Sequence, residues 1–122
     1  RGDGNNIHTE TSARITLMKS IPTLDPTAIF CCNDLMATCA IRACKRLGLS
    51  VPEDISVIGF DNITLSKLVE PQITTMDQNM FQLGSNAAAV LVEMIHGGQS
   101  KRITLENILI TRESTGPCKI PE

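Results

Sequence analysis

Residues 28–62, AIFCCNDLMATCAIRACKRLGLSVPEDISVIGFDN, constrain the fold of this chain more than any other stretch. Two short runs, residues 27–32 and 55–60, are apolar at nearly every position, the pattern of strands buried on both faces. Between them Leu35, Met36, Cys39, Ala40, Ala43, Cys44 and Leu47 recur at helical spacing and form a broad apolar stripe. Asn33 or Asp34 is placed to cap that helix, because a short oxygen-bearing side chain accepts from the free amides of the first turn. Gly48-Leu49 stops it, glycine supplying the left-handed conformation and leucine folding back on the last turn. Two buried strands joined through a helix require a parallel, right-handed crossover. Each strand ends in a polar step, Asn33-Asp34 and Asp61-Asn62, where open parallel sheets bind their ligands.

The remainder extends this unit into an α/β domain with a Rossmann-like parallel sheet flanked by helices. Residues 1–6 are polar and glycine-rich and read as a loop. Residues 11–20 are helix-compatible, with Ile15, Leu17, Met18 and Ile21 at helical spacings, and Pro22 ends that helix. A turn at Leu24-Asp25-Pro26 precedes the first strand. After Asn62 one helical turn fits residues 65–69, closed by Pro71. Residues 73–76 form a third strand ending in Asp77-Gln78, and Asn79 caps the longest helix, residues 80–96. Met80, Leu83, Ala87, Val90 or Leu91, and Met94 make its packing stripe, and Gly97-Gly98 stops it. Residues 102–105 and 107–112 alternate and are β-branched, as one or two strands before a polar tail.

Composition narrows the function. With 11 Lys and Arg against 13 Asp and Glu, the 122 residues offer no basic surface for nucleic acid. Arg42, Lys45 and Arg46 fall at a helix end, where cations oppose the helix dipole and face solvent. No apolar run approaches the length of a membrane span, and no secretory signal pattern is present. The five cysteines have neither zinc spacing nor a disulfide framework. Four of them, Cys31, Cys32, Cys39 and Cys44, fall in segments expected to be buried, and a reducing, cytoplasmic setting fits them. No Ser-His-Asp or Cys-His constellation, GxGxxG or phosphate loop marks an enzyme, and no cofactor or metal site is indicated.

Three strand ends, Asn33-Asp34, Asp61-Asn62 and Asp77-Gln78, lie on one edge of a parallel sheet, so their side chains converge on one crevice. Carboxylates accept and amides both accept and donate, a set suited to the vicinal hydroxyls of a sugar or nucleoside. Each also has a purely structural reading: Asn33 and Asp34 as helix caps, Asp61-Asn62 as a turn former. The convergence of three such steps favours a ligand.

These residues resemble a known family. CCNDLMATCAIRACKRLGLSVPEDISVIGFDN, EPQITTMDQNMFQLGSNAAAVLVEMI and ILITRESTG are similar to the effector-binding domain of LacI/GalR-type transcriptional regulators, over nearly the whole chain. The resemblance implies a periplasmic-binding-protein-like fold of two lobes with the ligand in the cleft, only part of which is in this chain. Residues 1–77 would form most of the C-terminal lobe without its first strand. Residues 78–105 would be a crossover helix and strand of the N-terminal lobe, and 106–122 a returning strand near the hinge with a polar tail. By position Asn33, Asp61 and Gln78 match effector-binding residues. The family's usual aromatic platform near Gly2-Asp3 is replaced by Gly4 and a longer loop, in which His8 is either a substitute or an exposed loop residue. The resemblance further implies a homodimer through Leu35, Thr38, Ile41, Arg42, Leu68 and Val69. Operator DNA would be bound only through a helix-turn-helix outside this chain, with no membrane involved. The rival expectation is a secreted sugar-binding protein of a transport system.

Overall fold

The computed structural model describes residues 3–119, with side chains from Glu10 onward. Its elements follow the order α1 (Asp3–Leu24), β1 (Ala28–Phe30), α2 (Asp34–Arg46), β2 (Ser56–Phe60), α3 (Leu65–Leu68), β3 (Thr74–Asp77), α4 (Met80–Ile95) and β4 (Ile108–Ile110). The four strands form one sheet in the order β1-β2-β3-β4. β1, β2 and β3 are parallel, with Ile29 opposite Val57 and Gly59 opposite Thr75. β4 returns antiparallel to β3, with Met76 opposite Leu109.

The expected βαβ unit is present, and its helix ends are built as the residues dictate. Asn33 Oδ1 accepts the Met36 N–H at 2.8 Å and so caps α2. At the other end Gly48 takes φ +74°, the Leu49 N–H reaches Cys44 O at 3.0 Å and the Gly48 N–H reaches Lys45 O at 3.2 Å. These are the two bonds of a Schellman stop, which only a residue at ease with positive φ completes without strain. The apolar face of α2 packs on β2, α1 packs on α2, and the core gathers Ile21, Cys31, Ala37, Ala40, Ile41, Ala43, Cys44, Ile55, Val57 and Ile73. The small residues of α2 let its backbone approach the sheet, and Val57 and Ile73 fill the contact with no exposure.

Several expectations are corrected. The opening stretch is helical from Asp3, and Pro22 lies inside α1 two residues before its end. Proline removes one helical N–H, yet Asp25 N–H still bonds Ile21 O at 3.0 Å, so the last turn closes around it. β1 is shorter than the apolar run and is an edge strand: Phe30 is 64 % exposed, because among the described residues nothing covers its outer face. Cys32 is therefore exposed, and three rather than four of the first four cysteines are buried. Residues 102–105 join no strand, and only Ile108–Ile110 pairs. Asn79 does not cap α4 through its side chain. It takes φ +52°, its N–H bonds Asp77 Oδ1 at 2.7 Å, and its Nδ2 bonds Gln82 Oε1 at 2.7 Å.

α4 leaves the sheet and buries none of its residues, so its apolar stripe stands open. The expected one-turn helix after Asn62 is α3, whose Ser66 is fully buried.

Candidate functional site

Because β1, β2 and β3 run parallel, their carboxyl ends share one edge, and the polar step after each reaches it. The side chains there divide into two groups. The first is consumed by the fold. Asp34 is fully buried, accepting from Thr75 Oγ1 at 2.5 Å and from the Ile63 N–H at 2.8 Å. A buried carboxylate is tolerated because both oxygens are bonded. Gly59 makes its room: a Cβ there would collide with Asp34 Oδ1 and come within 3.2 Å of Ile73 Cγ2.

The second group keeps open capacity. Asp61 follows β2 directly, at φ +101°, with its N–H bonded to Met76 O at 2.9 Å. Its Oδ1 accepts from Gln78 Nε2 at 2.5 Å, which brings these two predicted residues into direct contact. Asn33 stands at the end of the neighbouring strand, half-buried, with Oδ1 spent on its cap. Among the described residues no partner bonds Asp61 Oδ2, Gln78 Oε1 or Asn33 Nδ2. One edge thus offers two acceptor oxygens and an amide donor.

Beneath them lies a network that sequence reasoning missed. Asn62, at φ +53°, donates through Nδ2 to Asp77 Oδ2 at 2.9 Å and accepts from Arg112 Nη2 at 2.6 Å. Arg112 Nη1 donates to Ser66 Oγ at 2.9 Å and to Ile73 O at 2.8 Å. The Asn79 N–H, then the Asn62 amide, with smaller help from Lys67 and Arg112, hold the Asp77 carboxyl below its ordinary range. The RESTG segment does comparable work along the sheet. Ser114 Oγ accepts the Thr74 N–H at 2.9 Å and donates to Val57 O at 2.5 Å, and Thr115 Oγ1 pairs with Thr74 Oγ1 at 2.8 Å. In the sequence RESTG serves as a family motif at the end of the last strand and the start of the polar tail, and the signal for its structural role is its cluster of hydroxyls and one arginine after an apolar run.

The residues expected at a dimer face are distributed unevenly. Arg42 and Leu68 are exposed, Leu35, Thr38 and Val69 half-buried. Ile41 is 6 % exposed and belongs to the core cluster of its own domain. The side chain of His8 lies outside the described residues. Among the described residues no three His, Cys, Asp or Glu side chains are grouped to hold a metal, and no helix is long and apolar enough to cross a membrane.

A parallel sheet whose polar strand ends meet at one edge defines a ligand-binding lobe of the open α/β class. The periplasmic binding protein-like domain matches residues 2–115. The HTH-type transcriptional repressor PurR of Pasteurella multocida is 48 % identical over 81 residues, 66 % of this chain and 24 % of the relative. The repressor CytR of Escherichia coli strain K12 is 43 % identical over 93 residues, 74 % of this chain and 27 % of the relative. Among solved structures, a LacI family transcriptional regulator from Arthrobacter sp. FB24 in complex with lactose superposes with a TM-score of 0.78 at 36 % identity, covering 85 % of this chain and 41 % of that one. One from Enterococcus faecium with bound ribose gives 0.82 at 29 % identity, covering 90 % and 41 %. The chain belongs to the periplasmic-binding-protein-like effector-binding domains of LacI-family transcriptional regulators. It spans about a quarter of the length of the curated relatives it matches.

Proposed function

We propose that this chain is part of the effector-sensing domain of a LacI-type repressor and contributes one wall of a site for a sugar or nucleoside-like ligand. The observation that carries this is the pair Asp61 and Gln78, bonded at 2.5 Å on the ligand edge of a parallel sheet with an oxygen of each still open. Asp61 accepts from a ligand hydroxyl, Gln78 follows the ligand from the point where the chain leaves the sheet, and the Asn33 amide donates. In this reading residues 1–77 supply most of the C-terminal lobe without its first strand, 78–105 cross to the other lobe and 106–122 return. Ligand bridging the lobes favours one arrangement of them, and only that difference in affinity alters operator binding by a helix-turn-helix outside this chain. A homodimer formed through the exposed parts of α2 and α3, around Leu35, Thr38, Arg42, Leu68 and Val69, carries the signal to paired DNA-binding heads in the cytoplasm. Two relatives solved with lactose and ribose support the sugar class, and the repressor names of the curated relatives favour this reading over a transport binding protein or an enzyme.

The test is a thermal-shift panel of pentoses, hexoses, disaccharides and nucleosides on the full-length repressor and its Asp61→Ala variant. A ligand present at a hundred times its Kd stabilises the wild type by about 2.7 kcal/mol. The variant is expected to lose that ligand-induced shift, measured from its own unliganded melting temperature, which alanine at φ +101° lowers modestly. An equal shift in both proteins would remove Asp61 from the site.

A further inference from the structure

Two successive non-glycine residues, Asp61 at φ +101° and Asn62 at φ +53°, hold the left-handed region at the centre of the site. Such conformations are costly and persist only where the surroundings over-determine them. What over-determines this turn comes from far along the chain. Arg112 spreads its guanidinium over three acceptors: Asn62 Oδ1 at 2.6 Å, Ser66 Oγ at 2.9 Å and Ile73 O at 2.8 Å. Asn62 passes the constraint on, since its Nδ2 is bonded to Asp77 Oδ2 at 2.9 Å, one residue before Gln78. Arg112 is anchored in turn by its own N–H, which bonds Thr74 Oγ1 at 2.9 Å.

The geometry points to Arg112 as a positioning residue: through Asn62 it fixes the turn that presents Asp61 and ties that turn to Asp77, where the chain leaves the sheet. The clasp ties the point where the chain leaves the sheet to a residue just beyond the strand on which it returns. Asp77 is the last residue of β3 and Arg112 stands just after β4. Asp77 is thus held both by the β3–β4 ladder, where it stands opposite Ile108, and by Asn62, one residue before Gln78. Arginine is required because its planar fork holds several donors in fixed directions, whereas a lysine ammonium swings freely and satisfies one or two of the acceptors. Asn62 is required because it must accept on one side and donate on the other, which a carboxylate cannot do. The inference rests on the reading of Asp61 as the ligand carboxylate only for its consequence, not for its geometry.

The experiment is amide NMR of the chain, following the Gln78 side-chain NH2 pair and the Asp61 and Asn62 backbone amides. Arg112→Met is expected to move the Asp61 and Asn62 amides and to return the Gln78 NH2 signals to the positions and fast exchange of a free amide. Amides of the β1–β2 ladder and the Val57–Ser114 bond stay in place. Arg112→Lys is expected to recover only part of the change. Asn62→Asp keeps an acceptor for Arg112 and tolerates the left-handed backbone, but loses its bond to Asp77, so it yields the same local loss even if Arg112→Met does not fold. Unchanged Gln78 and Asp61 signals in Asn62→Asp would overturn the proposal, as would changes spread equally over the β1–β2 amides. A repressor that bound no sugar or nucleoside would defeat the functional reading and leave these spectra as they are.

Discussion

Gln78 Nε2 donates to Asp61 Oδ1 at 2.5 Å, joining the end of β2 to the start of the segment that leaves the sheet. Asn33 has a different standing, because its Oδ1 already caps α2. The two positions are therefore expected to separate on substitution. Asn33→Ala removes a cap and costs about 1 kcal/mol of stability as well as a ligand donor. Asn33→Asp keeps the cap and loses only the donor. Asp61→Ala removes an acceptor and weakens ligand binding by about 1.5–3 kcal/mol, roughly ten- to a hundredfold, and costs about 1 kcal/mol in folding because alanine is less at ease than aspartate at φ +101°. Chemical denaturation beside calorimetric titration of the full-length variants checks the separation. Equal destabilisation by Asn33→Asp and Asn33→Ala would show that the cap is not what Asn33 contributes.

Gly59→Ala is expected to be among the most damaging single-methyl additions in the sheet. The new Cβ would stand against Asp34 Oδ1 and within 3.2 Å of both Asp34 Cα and Ile73 Cγ2, so a flexible chain end cannot simply move aside. Displacing Asp34 breaks its bonds to Thr75 and to the Ile63 N–H and leaves a buried carboxylate underbonded, at a cost of about 2–4 kcal/mol. Urea denaturation measures it. A loss below about 0.5 kcal/mol, the level of an indifferent surface change, would mean that Asp34 has room the geometry does not show.

The parallel βαβ unit was legible because its signals are local: apolar runs, a helical stripe, Asn33 and Gly48 at the ends. The shared edge of polar strand ends was legible for a related reason, since parallel strands must place their ends together. What escaped notice depends on partners distant in sequence. Arg112 meets Asn62 and Ser66 across the sheet, and Ser114 bonds Val57 and Thr74, contacts no periodicity reports. The sequence reads α1 too short because Pro22 and Gly4 are breakers in most contexts, while here helix formation continues through both. The resemblance puts Ile41 at a partner face, whereas its side chain is 6 % exposed and belongs to the core cluster of its own domain, a burial set by tertiary packing that no sequence pattern reports.

Thiol reactivity follows the burial pattern. Cys32 and Cys118 are exposed and are expected to react first with a disulfide reagent at neutral pH. Burial, with smaller contributions from the neighbouring thiols, pushes Cys31 from 9.0 up to about 12, and burial also raises Cys39 and Cys44. Because the folded pKa is the higher one, the stabilisation is complete below the unfolded value and fades as pH rises from about 9 towards 12. Titration with Ellman's reagent before and after unfolding counts the two classes. Fast reaction of Cys31 in the native chain would contradict its place in the core.

Asp77 has the opposite sign. The Asn79 N–H and the Asn62 amide hold its carboxyl below the ordinary 3.8, so its contribution is present above that value and is lost as pH falls through the lower, folded pKa. Asp77→Asn is expected to lower the neutral plateau and to flatten this part of the acid branch, so that the two stability profiles converge at low pH. Denaturation midpoints from pH 2 to 6 for both proteins provide the comparison. Parallel acid branches would show that Asp77 does not sense folding.

The last expectation concerns α4. Met80, Phe81, Leu83, Leu91, Val92, Met94 and Ile95 are each more than 40 % exposed, and no residue of the helix is buried. A contiguous apolar face of this kind is more than a soluble monomer ordinarily shows. In the longer structures that this chain matches, it covers 41 % of the residues, which leaves ample chain to pack there. The 122 residues by themselves are therefore expected to self-associate through α4 in a concentration-dependent way. Replacing Leu83 and Leu91 with lysine removes two anchors and places charge at any helix-helix seam, while the core formed by α2 and the sheet is untouched. Light scattering across a hundredfold range of concentration should show the mass of the wild-type chain rising and that of the double variant holding at one copy. A wild-type chain that stays monomeric at the highest concentration, with one cooperative unfolding transition, would show that the exposed face of α4 does not drive association.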